Sequence, residues 1–135
     1  MALKLKRTVA DLVSEANKEI QTITAEEAIR LKDEPTVLLV DIRDIRELAR
    51  EGRVPGAFHA PRGMLEFWVD PASPYYKEIF GSGKRFVLFC AGGLRSALAT
   101  QQLQRMGLEP ICHIEGGFGA WKKAGGPVEM EQKKS

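Results

Sequence analysis

The sequence predicts an α/β domain whose sheet is mostly parallel. Three observations carry this. Two short runs, Val37 to Val40 and Phe86 to Phe89, are apolar without alternation, the pattern of strands buried on both faces. Apolar residues at helical spacing recur before, between and after them. Strand and helix signals alternate along the chain, with glycine and proline at the changes, as βαβ units require.

Each element has its own warrant. Val9, Leu12, Val13, Ala16 and Ile20 lie at helical spacing, which predicts an amphipathic helix over residues 8–20 packed on the rest of the chain. Thr24 with Glu27 three residues later forms a capping box that opens a second helix. Val37 to Val40 is the first buried strand, and "IRELAREG" is a short helix stopped by Gly52. "VPGAFHAP" reads as a turn and a short strand. Residues 61–85 read as irregular, with Pro71, Pro74, Gly81 and Gly83 as punctuation. "RFVLF" is the second buried strand, followed by a helix over "SALATQQLQRM" that Gly107 closes. "ICHI" is a further strand and "FGAWKKAGG" a last short helix.

Composition excludes several function classes. The chain has 135 residues, with 20 Lys and Arg against 18 Asp and Glu, and no polybasic run. That balance offers no footprint for nucleic acid. No apolar stretch approaches a membrane span, and the first residues lack a signal core, so no membrane association and a cytoplasmic setting are expected. Cys90 and Cys112 lack the neighbours of a zinc site; their count allows a disulfide, but an intracellular setting favours free thiols. No metal or organic cofactor is implied.

The chemistry gathers at "FVLFCAGGLRSALAT", residues 86–100. Cys90 sits at the carboxyl end of a buried strand, where ligands of parallel sheets collect. Ala91, Gly92 and Gly93 carry little or no side chain, so successive backbone N–H groups can converge on one point. Leu94, Arg95 and Ser96 lead into a helix, whose N-terminal dipole and the Arg95 charge favour an anion. These features favour thiolate over thiol and predict a reactive Cys90 with a depressed pKa. The alternative is a small buried core cysteine; the Gly-Gly-x-Arg-Ser context favours a nucleophile.

Four stretches together resemble the single-domain rhodanese family, the thiosulfate sulfurtransferase-like proteins. These are "LLVDIRDIREL", "GRVPGAFHAP", "CAGGLRS" and "HIEGGFGAWKKAGGPV". The resemblance implies a rhodanese-like domain over residues 20–128; the periodicity puts an amphipathic N-terminal helix before it, in 1–19, and composition makes 129–135 a frayed polar tail. It implies a five-stranded, mostly parallel sheet flanked by helices. It also implies that Cys90 takes the outer sulfur of a small anionic donor such as thiosulfate, becomes a persulfide, and passes the sulfur to cyanide or to a protein thiol. Backbone amides from Ala91 to Ser96 would cradle the anion, and Arg95 would neutralise it. The cysteine phosphatases and arsenate reductases that share the fold need five residues between Cys and Arg, whereas Cys90 and Arg95 are separated by four. A regulatory or sulfur-carrying binding module with little turnover is the third reading. Ala91 stands where the family often carries a charge, and Arg53 where it often carries His.

Supporting residues are read with a structural alternative beside each. Asp41, at a strand end, orders loops or arginines near the site, or caps the helix over 44–50. Arg43 pairs with Glu47 on that helix or attracts anions. His59 lines the site, or is a hydrogen-bonded structural histidine; His113 receives the structural reading outright. Within the long segment 62–76, Met64, Phe67, Trp68, Tyr75 and Tyr76 wall the thiol pocket or plug an edge of the core, and Arg62 adds charge at the mouth. Cys112 is read as core, and Trp121 as an anchor of the last helix.

Overall fold

The computed structural model describes residues 3–130. In chain order its elements are α1 (Val9–Glu19), β1 (Gln21–Ile23), α2 (Ala25–Leu31), β2 (Val37–Asp41), α3 (Ile45–Glu51) and β3 (Phe58–His59). They continue with α4 (Leu65–Val69), β4 (Arg85–Phe89), α5 (Leu94–Met106), β5 (Ile111–Ile114) and α6 (Gly117–Lys123). The five strands form one sheet in the order β1-β5-β4-β2-β3, and every pairing is parallel.

The unbroken apolar runs have the expected cause. β4 is central, and Phe86 to Phe89 are all buried because alternate residues face opposite layers. Val87 and Phe89 join Leu39, Ile114, Phe118 and Trp121 in one core. Phe86 and Leu88 join Val40, Leu65, Leu103 and Ile111 in the other, which also takes in Cys90. α2 and α6 pack together, and α4 and α1 each pack on α5.

Four local differences from the sequence reading have physical reasons. β1 is three residues long, too short to leave a periodic signal, and is held as an edge strand by parallel pairing with β5. The segment 61–85 is not irregular throughout. It contains 3₁₀ turns at Arg62–Met64 and Glu78–Gly81 around α4, pinned by buried Leu65 and Phe80. α1 does not bury its apolar stripe: Ala16 is fully buried, but Val9 and Leu12 are exposed. Its carboxyl end is tied instead by Glu19, which receives hydrogen bonds from Gln101 and Arg105 and whose carbonyl accepts one from Gln104. The tail begins ordered, because Glu129 bridges to Arg53 through two backbone bonds of 2.9 Å and a 3.1 Å ion pair. Residues 131–135 of that tail lie outside the described residues, and so do residues 1 and 2 of the 1–19 segment.

Candidate active site

Cys90 follows directly on β4 and is 1 % exposed. Two backbone donors and one hydroxyl, to which the thiol can itself donate, meet its sulfur. The Gly93 N–H donates to Sγ at 3.1 Å, the Ser96 N–H at 3.4 Å, and Ser96 Oγ lies 3.6 Å away. The approach depends on Gly93, whose φ of 97° is open to glycine and strained for other residues. A Cβ there would also press on the Gly116 nitrogen at 3.1 Å. The chain therefore reverses in three residues, Ala91 to Gly93, and α5 starts at Leu94 with its first turn directed at the sulfur. Burial pushes the Cys90 thiol up. Hydrogen bonds from the Ser96 side chain and from the Ser96, Gly93 and Gly92 amides outweigh that, and the net shift is downward. Cys112 has no converging amides: burial raises it, and the Arg85 guanidinium, 3.8 Å from its sulfur, only partly offsets that.

A second turn fixes the loop from behind. Gly116 and Gly117 both have positive φ, and a Cβ on Gly117 would fall 2.3 Å from the Cys90 carbonyl oxygen. This contact lets the Phe118 N–H donate to Cys90 O at 2.8 Å and the Gly119 N–H to Ala91 O at 3.1 Å. The "EGGFG" stretch thus acts as a backrest for the thiol loop.

The electrostatic frame differs from the sequence reading. Arg95 is not a free charge over the loop: its guanidinium is held two-pronged by Glu47 at 2.8 and 3.0 Å. That pairing draws the Glu47 carboxyl down to about 2, and Arg95 is raised in turn. Arg43 does not pair with Glu47. It is buried at 1 % exposure, bound to Asp41 at 2.7 Å, donating to Gly52 O at 2.9 Å and lying 4.1 Å from the Phe118 ring centroid. Asp41 does not cap α3, because its carboxylate is spent on Arg43. The cap is Asp44, whose side chain accepts from Arg46 N while Glu47 accepts from Asp44 N. His59 Nε2 lies 2.7 Å from Arg43 O, which ties it to the same buried arginine and not to the sulfur.

The long segment packs on the core layer that also takes in Cys90. Trp68 is half-buried against Phe58, edge to face at 6.2 Å, with Lys77 over its ring. Phe67 is exposed beside Tyr75, and Arg62 pairs with Glu66 at 2.8 Å. Leu65 and Phe80 of the segment are buried in that layer, with Trp68 and Val69 packed against it. Two residues near the site escaped the sequence reading as parts of it. Glu47 carried a signal, as the N3 partner of Asp44 in a capping box, one turn into a helix at a strand end. His113 carried none beyond its residue type: it sits in β5, 3 % exposed, with Nδ1 2.9 Å from Ser96 Oγ. Among the described residues no group of three His, Cys, Asp or Glu side chains is placed to hold a metal ion, and no helix is long and apolar enough to cross a membrane.

Solved structures share this fold. A solved protein of unknown function from Rhodopseudomonas palustris, described as a possible tyrosine phosphatase, is 54% identical with a TM-score of 0.92. The alignment covers 96% of this chain and 99% of that one. A sulfurtransferase of Allochromatium vinosum is 31% identical over 99 residues, which are 73% of this chain and 84% of the relative. An uncharacterized protein of Synechocystis sp. is 37% identical over 107 residues; these are 79% of this chain but only 55% of that relative's length. The family model for the rhodanese-like domain matches residues 24–124, from the cap of α2 to the end of α6. With the parallel five-stranded sheet and the cysteine loop at the end of its central strand, this match means that the chain belongs to the rhodanese-like domain family.

Proposed function

We propose that the chain is a sulfurtransferase that carries sulfane sulfur as a persulfide on Cys90. The observation that carries this reading is the convergence of the Gly93 and Ser96 amides and the Ser96 hydroxyl on one buried sulfur, which stabilises a thiolate. In the first half-reaction the Cys90 thiolate attacks the outer sulfur of thiosulfate. A new S–S bond forms, the donor S–S bond breaks, and sulfite leaves with its electron pair. In the second, cyanide or a protein thiolate attacks the outer sulfur. The persulfide bond breaks, and the electron pair returns to Cys90 Sγ as thiolate. This is covalent, two-step catalysis that needs no cofactor. The amides of the loop hold the persulfide's terminal charge as they hold the thiolate. Arg95, fixed by Glu47, keeps a positive edge beside the loop and stiffens the first turn of α5. Cytoplasmic sulfur donors and acceptors fit this chemistry.

The relative described as a possible tyrosine phosphatase supplies the second reading. Loop length disfavours phosphate: four residues separate Cys90 from Arg95, where the phosphatases of this fold need five. Steady-state assays with thiosulfate and cyanide test the proposal. Parallel double-reciprocal lines for thiocyanate formation, abolished in Cys90→Ser, are expected. Hydrolysis of an aryl phosphate with no thiocyanate would replace this reading with the phosphatase one. Cys90 that loads sulfur but turns over slowly with cyanide would make the chain a relay to a protein acceptor.

A further inference from the structure

Resting on the reading of Cys90 as a sulfur-carrying thiolate, we propose that Ser96, His113 and Thr22 form a proton relay joining the Cys90 sulfur to solvent behind the active-site loop. Four side chains, one just past β4 and the others on α5, β5 and β1, follow one another at hydrogen-bonding distances. Cys90 Sγ is 3.6 Å from Ser96 Oγ, Ser96 Oγ is 2.9 Å from His113 Nδ1, and His113 Nε2 is 3.2 Å from Thr22 Oγ1. The first three are at most 3 % exposed, while Thr22 on edge strand β1 is exposed. Thr22 and His113 line a cavity of about 380 Å³ that also touches Gly92 and Gly93. The series thus starts at a buried sulfur and ends at water on the α1 side of the loop.

Each member can both give and take a proton, and the imidazole can do so at two atoms. Two arrangements are complete. With Cys90 as a thiol, S–H donates to Ser96 Oγ, Ser96 O–H donates to a bare His113 Nδ1, and Nε2–H donates to Thr22. With Cys90 as a thiolate, Ser96 O–H must turn to the sulfur. It then has nothing to offer His113, so Nδ1 must carry the hydrogen and donate to Ser96 Oγ, while Thr22 donates to a bare Nε2. Passing from the first to the second moves one proton along every link. The sulfur loses a proton, and Thr22 hands one to water. No atom keeps a net charge except the sulfur.

The surroundings favour tautomer exchange over a charged imidazolium. Burial pushes His113 down to about 4, so the ring is neutral through the physiological range. Its partners are Ser96 from α5 and Thr22 from β1, with Cys90, just past β4, beyond Ser96 and Asn17 of α1 lining the same cavity. Among the residues lining its cavity only Glu115, just past β5, is charged. Arg95, next to Ser96, is held by Glu47, and its charge also acts on Cys90, where it favours the thiolate. The route matters because a donor seated on the loop covers the sulfur's own face. The cysteine can then lose or regain its proton from behind.

The test is nitrogen NMR of the His113 ring through the Cys90 titration, on the whole chain. The expected result is that the hydrogen moves from Nε2 to Nδ1 as Cys90 deprotonates, with no protonated imidazolium, and that Cys90→Ala abolishes the change. A tautomer that stays fixed through the titration overturns the relay. A second arm uses His113→Asn, whose amide keeps a hydrogen bond to Ser96 but cannot exchange tautomers. Single-turnover sulfur loading from thiosulfate should slow by about tenfold or more and change its solvent deuterium isotope effect; loading at the wild-type rate and isotope effect overturns the relay. If wild-type Cys90 takes no sulfur while the tautomer still moves, the sulfurtransferase reading fails and the relay stands.

Discussion

Replacing Gly117 by Ala tests whether the backrest behind the thiol loop sets its shape. The new Cβ would lie 2.3 Å from Cys90 O and 2.9 Å from the Ala91 carbonyl carbon and oxygen, where ordinary contact begins at 3.4 Å. Both neighbours are backbone, so the loop and α6 must part by about 1 Å. The φ of 58° adds roughly 1 kcal/mol of strain for a residue with a side chain. The bonds Phe118 N–H to Cys90 O and Gly119 N–H to Ala91 O would stretch, at about 1 kcal/mol each. The sum, about 3 kcal/mol, leaves a typical domain folded and lowers Tm by roughly 10 °C. The same displacement carries the Gly93 and Ser96 amides off the sulfur, for a loss of about 100-fold in sulfur loading. Calorimetry and single-turnover loading, both run well below the variant's Tm, read the two effects separately. Wild-type Tm with wild-type loading would refute the idea that this contact shapes the loop.

Three further outcomes follow from the site's frame. Glu47→Gln removes the carboxylate that anchors Arg95. Because the folded pKa of Glu47 is lowered to about 2 from 4.5, its contribution is fully present above pH 4.5 and is lost as pH falls toward 2. Arg95 is 42% exposed, so the effect is discounted to about 1 kcal/mol. Urea unfolding at pH 6 and pH 3 should show the variant weaker at pH 6 and closer to wild type at pH 3; an equal gap at both contradicts the assignment. Asp41→Asn strands the buried Arg43 charge and should cost about 3–5 kcal/mol in the same unfolding assay. A cost under about 1 kcal/mol would mean that Arg43 finds other partners. Trp68→Ala should lower stability by about 2 kcal/mol, as expected for a half-buried aromatic, and leave Cys90 alkylation unchanged; a changed alkylation rate would return Trp68 to the site.

The parts legible in the sequence were those in which one residue type serves one local need. Continuous apolar runs reported strands buried on both faces, Thr24 and Glu27 reported a helix start, and Cys-x-Gly-Gly reported a loop that must curl tightly at a strand end. Pairings across the fold were not legible. Asp41, Arg43, Asp44 and Glu47 all lie within seven residues, and sequence distance alone offered Arg43–Glu47 and an Asp41 cap. The observed partners are set by depth: Arg43 is buried and takes the carboxylate buried with it, while Glu47, nearer the surface, reaches Arg95 across the sheet end. His113 read as a core histidine because only the register of β5 beside β1 and β4 reveals that it faces both Ser96 and Thr22.

Intact-protein mass spectrometry after incubation with thiosulfate tests the central claim, persulfide formation on Cys90, most directly. The account predicts a gain of one sulfur atom, lost on treatment with cyanide and absent in Cys90→Ser. An unchanged mass on a reduced protein whose Cys90 is readily alkylated, with thiosulfate and with persulfide donors alike, would contradict it.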